Sequence, residues 1–157
     1  MTRYERELVN CLTAAGWSVI RAPSSGSATD RHLPDLLALS DEVAHHVAGS
    51  RRTFALAIEH KTTSSTTAYA EEAEVRQLCL FAETAGAHPL IAGRFKRSDP
   101  TADRLHYLVA PQQCRLTDAG SFGVPLDDAA DRAAVIANAT TDTVDASELF
   151  ADPQPST

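Results

Sequence analysis

The stretch from residue 54 to residue 61 constrains the fold most strongly, because it combines a strand-like alternation with two opposite charges. Phe54, Leu56 and Ile58 alternate with small residues. Glu59 and Lys61, two residues apart, follow in phase with the small residues. Side chains two apart on a strand point to the same face of the sheet. The pattern therefore predicts a strand whose end carries a carboxylate and an ammonium side by side.

A second carboxylate, Asp35, follows Pro34 and precedes an apolar run at residues 36–39, which predicts a neighbouring strand. Two carboxylates brought together without a cation repel and raise each other's pKa. A divalent ion such as Mg²⁺, which prefers hard oxygen ligands, removes that conflict. A lysine beside such a site can orient or deprotonate water, or neutralise charge that builds on a phosphate. The same residues also suit an ordinary cross-strand salt bridge, so the spacing alone leaves both interpretations open.

The length of 157 residues is that of one domain. The N-terminal segment lacks the basic and then apolar pattern of a secretory signal, and no apolar run is long enough to cross a bilayer. These features predict a cytoplasmic protein. Cys11, Cys79 and Cys114 are widely spaced and form no Cys-x-x-Cys pair, which argues against a zinc site and a disulfide framework.

The charge balance is unusual for a protein that binds nucleic acid, which is commonly basic. Asp and Glu number 21 against 14 Lys and Arg, and Lys61 and Lys96 are the only lysines. The whole excess of acids lies after residue 61. This composition resembles that of proteins from salt-loving archaea; an ordinary acidic protein from a GC-rich genome is the alternative. In high salt, DNA binding would depend less on counterion release and more on shape, metal bridging and a few arginines.

Periodicity predicts an α/β fold in the order α-β-β-β-α-β-β, with a mixed sheet flanked by helices. The long helix at 70–85 suits a crossover between parallel strands. Residues 62–67 read as a Thr/Ser-rich linker, and 127–138 as a short third helix. We expect a nuclease domain at 1–125 and an appendage at 126–157 with a flexible acidic tail. In the first helix, Glu5 shares the apolar stripe, where a carboxylate needs a partner, whereas Glu7 is predicted to be solvated.

Several motifs, in order and with matching spacing, resemble those of the archaeal Holliday junction resolvases. These are restriction-endonuclease-like nucleases with a Pro-Asp, spacer and Glu-x-Lys pattern. The resemblance covers roughly residues 4–125. It is carried by Tyr-Glu-Arg-Glu-Leu-Val at 4–9, Gly-Trp-x-Val-Ile-Arg-Ala-Pro-x-Ser-Gly-Ser at 16–27, Pro-Asp-Leu-Leu-Ala at 34–38, Ile-Glu-x-Lys at 58–61 and Leu-Ile-Ala-Gly-Arg-Phe-Lys at 90–96.

The resemblance implies a homodimer that cuts four-way DNA junctions symmetrically with Mg²⁺, for which Mn²⁺ could substitute. It implies metal ligands at Glu5, Asp35 and Glu59, a catalytic lysine at Lys61 and an essential loop serine at Ser25. No membrane and no small-molecule cofactor are expected. The resemblance implies DNA contacts in the first helix, the first strand and the loop after it, and the basic residues near 96 are further candidates. The predicted contacts to DNA are Arg6, Arg21, Ser24, Ser25, Arg94, Lys96 and Arg97.

Two other functions stay open at this point. One is a related Mg²⁺-dependent nuclease that cuts another DNA structure, and the other is a junction-binding paralogue without catalysis. The chain departs from the family in its short basic arm, Thr2-Arg3, and in the acidic start of its second helix at 71–74. These departures bear on the contacts to DNA, not on the acidic residues and lysine of the site.

Overall fold

The structure, a computed structural model, describes residues 1–22, 33–40 and 54–149. Three α-helices and ten strands lie in these ranges. The helices are α1 (Arg3–Ala14), α2 (Glu72–Ala85) and the short α3 (Ala129–Arg132). The strands are β1 (Ser18–Arg21), β2 (Leu36–Ser40), β3 (Phe54–Thr63), β4 (Thr67–Ala70), β5 (His88–Phe95), β6 (Leu105–Val109), β7 (Arg115–Leu116), β8 (Phe122–Pro125), β9 (Val135–Asn138) and β10 (Thr143–Asp145).

The main sheet of the described residues is mixed and has the strand order β1-β2-β3-β5-β6-β9-β10. Its central pair, β3 and β5, is parallel, and α2 makes the crossover between them. The other neighbours in this sheet pair antiparallel. The predicted α/β fold with a mixed sheet flanked by helices is therefore confirmed. A smaller sheet, β4-β8-β7, packs against it, since Ala68 and Val124 share a buried cluster with Ala57 and Ile91 of the main sheet.

The two long helices cover opposite faces of the main sheet. Leu8 and Leu12 of α1 pack with Leu56 and Ile58 of β3. Ala57, which alternates with them on β3, belongs instead to the cluster that contains Val75 and Leu78 of α2. Gly86, with a φ of 68°, ends α2 in the left-handed conformation that glycine adopts without steric cost. The period-2 pattern of β3 thus gives the sheet two buried faces.

Two predicted segments differ from the structure. Residues 62–67 are not a plain linker, because β3 continues to Thr63 and β4 begins at Thr67. The predicted helix at 127–138 is wrong: α3 ends at Arg132, and Val135 starts strand β9. Ala133 and Ala137 fit a helical stripe, but together with Val135 they are also buried with a period of two, and pairing with β6 selects the strand.

The main sheet also extends past residue 125, where the sequence predicts the start of an appendage. β9 pairs with β6, and β10 pairs with β9, so residues up to Asp145 are built into the sheet. In the predicted flexible tail, which begins at Thr140, residues 143–145 form β10, and residues 150–157 lie outside the described residues. Within the described ranges, no helix combines the length and apolar character needed to cross a membrane.

Candidate active site

The predicted carboxylate and lysine pair lies where β3 passes α2. The Lys61 Nζ is 3.9 Å from the Glu59 Oε1, so both side chains share one face of the sheet, as predicted. Glu59 is only 3% exposed, whereas the Lys61 side chain is 26% exposed. The site thus has a buried carboxylate with a partly open ammonium beside it.

Asp35 joins this site from the neighbouring strand. Leu36 of β2 pairs with Ile58 of β3, so continuing this antiparallel register brings Asp35 opposite Glu59. Its Oδ2 accepts a hydrogen bond of 2.8 Å from the backbone N–H of His60, and its carbonyl oxygen accepts one of 3.1 Å from Ala22. These bonds fix Asp35 against β3. The structure therefore brings Asp35, Glu59 and Lys61 to one place.

Glu74 of α2 is a member of this group that the sequence analysis missed. Its Oε2 accepts a hydrogen bond from the Lys61 Nζ at 2.5 Å, and its Oε1 accepts one of 3.1 Å from the Glu71 backbone. Burial raises the pKa of Glu74, but these bonds and one with the Glu59 side chain outweigh it and hold the pKa below its usual value. The available signal was its spacing, since Glu74 lies four residues before the buried Leu78.

Glu5 occupies a different environment from the other predicted ligands. It forms a capping box at the start of α1, where its Oε2 accepts a 3.2 Å bond from the backbone of Thr2 and its own backbone N–H donates to the Thr2 hydroxyl at 3.1 Å. In the described ranges, no group of three or more His, Cys, Asp or Glu side chains is arranged to hold a metal ion. Glu5 thus does not complete such a group with Asp35 and Glu59.

Glu7, predicted to be solvated, is instead the buried carboxylate of α1. Its Oε1 is 2.7 Å from both the Arg94 Nε and the His106 Nε2. Burial raises its pKa, but the hydrogen bonds from His106 and Arg94 lower it more, to about 2. The prediction was wrong because Glu7, four residues before the buried Cys11, lies on the stripe that packs against the sheet.

The same contacts leave little of Arg94, a predicted phosphate contact, open to DNA. Its side chain is 8% exposed, pairs with Glu7 and also donates to the Phe95 carbonyl oxygen at 2.8 Å. His60 is likewise structural: its Nε2 lies 3.1 Å from the Nδ1 of His106, and burial lowers its pKa to about 3. A buried chain of polar groups therefore links α1 to β3 on the face opposite Glu59.

Cationic side chains surround Tyr4 at the start of α1. Arg94 lies 5.0 Å from the centre of its ring, and Arg3 and Lys96 each lie 5.7 Å from it. Arg97 and Arg104 line the same groove, together with Asp99 and Asp103. Lys96 and Arg97 are exposed, as are Arg6 and Arg21. Ser24 and Ser25 lie outside the described residues.

Comparisons with known proteins agree with this fold. The sequence model of the archaeal Holliday junction resolvase (Hjc) family matches residues 2–143. The structure is similar to that of Hjc from Archaeoglobus fulgidus, a Holliday junction resolvase from an archaeal hyperthermophile, with a TM-score of 0.61 and 28% sequence identity. The similarity covers 81% of this chain and 89% of the Archaeoglobus protein. No match was found among curated protein sequences.

Proposed function

The chain belongs to the archaeal Holliday junction resolvase family, and we propose that it resolves four-way DNA junctions by metal-dependent hydrolysis of phosphodiester bonds. The observation that carries this proposal is the meeting of Asp35, Glu59 and Lys61 at one end of β3. An enzyme acting on recombination and repair intermediates would work with the chromosome in the cytoplasm.

The side chains at this place fit a divalent cation. Three carboxylates, Asp35, Glu59 and Glu74, and one ammonium, Lys61, leave two unbalanced negative charges when all are ionised. Mg²⁺ typically binds one or two protein carboxylates and completes its shell with water and substrate phosphate. We propose that Asp35 and Glu59 hold Mg²⁺, for which Mn²⁺ can substitute. When bound, the ion would supply Lewis-acid polarisation of the scissile phosphate.

The protein's own groups have separate roles in this proposal. The backbone N–H of His60 orients the Asp35 carboxylate, and the burial of Glu59 excludes water from its side chain. Lys61 presents a partly exposed ammonium that can stabilise negative charge developing on phosphate or orient the attacking water. Ser25 remains a proposed loop contact to DNA.

Glu5 remains a proposed ligand through the family resemblance, although its carboxylate caps α1 in this structure. A capping interaction is worth about 1 kcal/mol. The contact is also exposed. An ion and DNA at the site could therefore draw the carboxylate away from Thr2 at small cost. We propose that Glu5 contributes in the DNA complex only.

We propose that exposed basic residues at two places hold the DNA backbone. Arg21 ends β1, and the backbone of the next residue, Ala22, donates to Asp35, so this arginine lies beside the site. Lys96 and Arg97 lie in the groove beside Tyr4, with Arg3 and Arg104. Phosphate contacts of this kind position DNA without reading its sequence. Arg6 and the serines at 24 and 25 complete the proposed set.

A homodimer fits the substrate, because a four-way junction is two-fold symmetric and paired cuts need two sites. A two-fold dimer supplies one site to each of two strands. Sedimentation of the protein with and without a junction tests this part of the proposal, and a monomer bound to one junction would contradict it.

The decisive experiment compares a synthetic four-way junction with linear duplex of the same sequence, with Mg²⁺ or Mn²⁺ and over a range of salt. We expect paired cuts in the junction only, abolished by Asp35→Asn and by Lys61→Ala, while the exposed Glu83→Gln control stays active. Equal cutting of linear duplex would indicate another nuclease specificity. A gel shift without cleavage in either metal would indicate a junction-binding paralogue. Unchanged cleavage by Asp35→Asn would refute the site.

A further inference from the structure

Glu74 of α2 holds the ammonium of Lys61, which extends from β3. The Lys61 Nζ lies 2.5 Å from Glu74 and 3.9 Å from Glu59, so the contact with the helix is the closer one. The Glu74 carboxylate is itself held, because its other oxygen accepts the Glu71 backbone N–H. The start of α2 thus provides an anchored carboxylate for a side chain from β3.

Such an anchor matters because a lysine side chain is long and freely rotating. Ordering it costs much of its rotamer freedom. Glu74 and Lys61 are each about one quarter exposed, at 25% and 26%. Their pairing is therefore shielded more than that of Glu72 and Arg76, which lie two residues before and two residues after Glu74 and have side chains that are 61% and 64% exposed. An exposed pair of that kind contributes little.

The anchor also separates Lys61 from Glu59. Without Glu74, Glu59 would be the one described carboxylate within 4.0 Å of the ammonium. A tight Lys61–Glu59 ion pair would compete with a cation for the same oxygens. By drawing the ammonium toward α2, Glu74 keeps it 3.9 Å from the Glu59 Oε1 and places a positive charge at the edge of the site.

We infer that Glu74 is a positioning residue for the nuclease reaction, which holds the Lys61 ammonium at the edge of the Asp35–Glu59 site. The inference rests on the proposed function. Glu74 acts through Lys61 and touches neither DNA nor ion in this role. Glu74, one of the acidic residues at the start of α2, then has a function in the reaction, although the family often has basic residues at this place.

The variant Glu74→Gln separates this role from the helix cap. Its amide oxygen can still accept the Glu71 N–H, but its amide nitrogen cannot accept from Lys61. Since a displacement of about 1 Å at a reacting group can cost roughly 100-fold, we expect the single-turnover cleavage rate to fall roughly 10- to 100-fold. Junction affinity should change less than about twofold. The matched control is Glu72→Gln, which should cleave at the wild-type rate.

A second readout does not depend on cleavage. Because Lys61 and Lys96 are the only lysines, reductive methylation with ¹³C labels two side-chain amines besides the N-terminus, and Lys96→Arg assigns them. In Glu74→Gln without DNA, we expect the Lys61 methyl signals to shift and sharpen while the Lys96 signals stay in place. Glu72→Gln should move neither.

The outcomes distinguish a failure of the role of Glu74 from a failure of the proposed nuclease function. An active wild type with an equally active Glu74→Gln, or unchanged Lys61 signals in that variant, would overturn the role of Glu74 and leave the nuclease assignment intact. A wild type that cuts no junction overturns the proposed function, and with it any role of Glu74 in the reaction. A shifted Lys61 signal in that inactive protein would show only a structural ion pair.

Discussion

The buried carboxylate of Glu7 offers the sharpest test of how α1 is attached to the sheet. Its side chain is 10% exposed and shares its oxygens with Arg94 and His106. We take Glu7→Gln as the perturbation, because Gln keeps the shape and an acceptor oxygen but removes the charge. The Arg94 guanidinium then stays buried without its counter-charge.

Two estimates give the size of the effect. The pKa of Glu7 lies at about 2 instead of 4.5, and each unit corresponds to about 1.4 kcal/mol, so the charged form is stabilised by about 3 kcal/mol. Removing one partner of a buried ion pair typically costs about 3–5 kcal/mol. We therefore expect Glu7→Gln to lower the free energy of unfolding at pH 7 by about 3 kcal/mol.

The pH dependence follows from the direction of the pKa shift. A carboxylate with a lowered pKa in the folded state adds its full stability above pH 4.5, and that stability is lost as the pH falls towards 2. The difference between wild type and Glu7→Gln should therefore shrink steadily between about pH 5 and pH 2. Taking the difference removes the acid effects that both proteins share. It keeps the protonation of His60 and His106, because the Glu7 carboxylate raises the pKa of both imidazoles and a neutral Gln does not.

The assay is urea denaturation followed by circular dichroism at fixed protein concentration, at several pH values. Glu83→Gln, an exposed substitution on α2, is the control and should stay within about 0.5 kcal/mol of wild type. A loss below about 1 kcal/mol for Glu7→Gln, or a loss that is the same at pH 7 and pH 3, would refute the buried network described above.

Three other predictions concern separate parts of the chain. Glu5→Gln keeps an oxygen that accepts the Thr2 backbone N–H, so the Tm should not change. If the Glu5 carboxylate serves the metal in the DNA complex, this variant should cleave a junction roughly tenfold or more slowly. Cleavage at the wild-type rate would restrict Glu5 to the helix cap. Lys96→Gln and Arg97→Gln should each reduce the salt dependence of junction binding by about one phosphate contact, and a loss no greater than that of the exposed control Arg115→Gln would argue against the groove beside Tyr4. Val135→Ala, at a fully buried position on β9, should lower the free energy of unfolding by about 2 kcal/mol in one cooperative transition; an independent early transition would show that β9 folds apart from the main sheet.

The local sequence pattern predicted the structure where that structure depended on one segment. The period-2 alternation of β3 placed Glu59 and Lys61 on one face, and the contact between them agrees. The long helix between two strands predicted the parallel pair β3 and β5. Pattern failed at 127–138, where small and β-branched residues satisfy both periods and the edge of β6 decides. Motif resemblance then supplied the family, which matches residues 2–143.

Side-chain contacts between segments far apart in the chain could not be predicted from the local sequence pattern. Glu5 and Glu7 both lie near the apolar stripe of α1, and packing against the sheet buried Glu7 with Arg94, 87 residues away, while Glu5 stayed at the cap. Glu74 looked like one of several surface acids until α2 docked across β3 and met Lys61. A side chain's environment depends on which faces meet in three dimensions. The geometry of a helix or strand determines on which of its faces a side chain lies. Only the packing of the whole fold determines which residues contact that face.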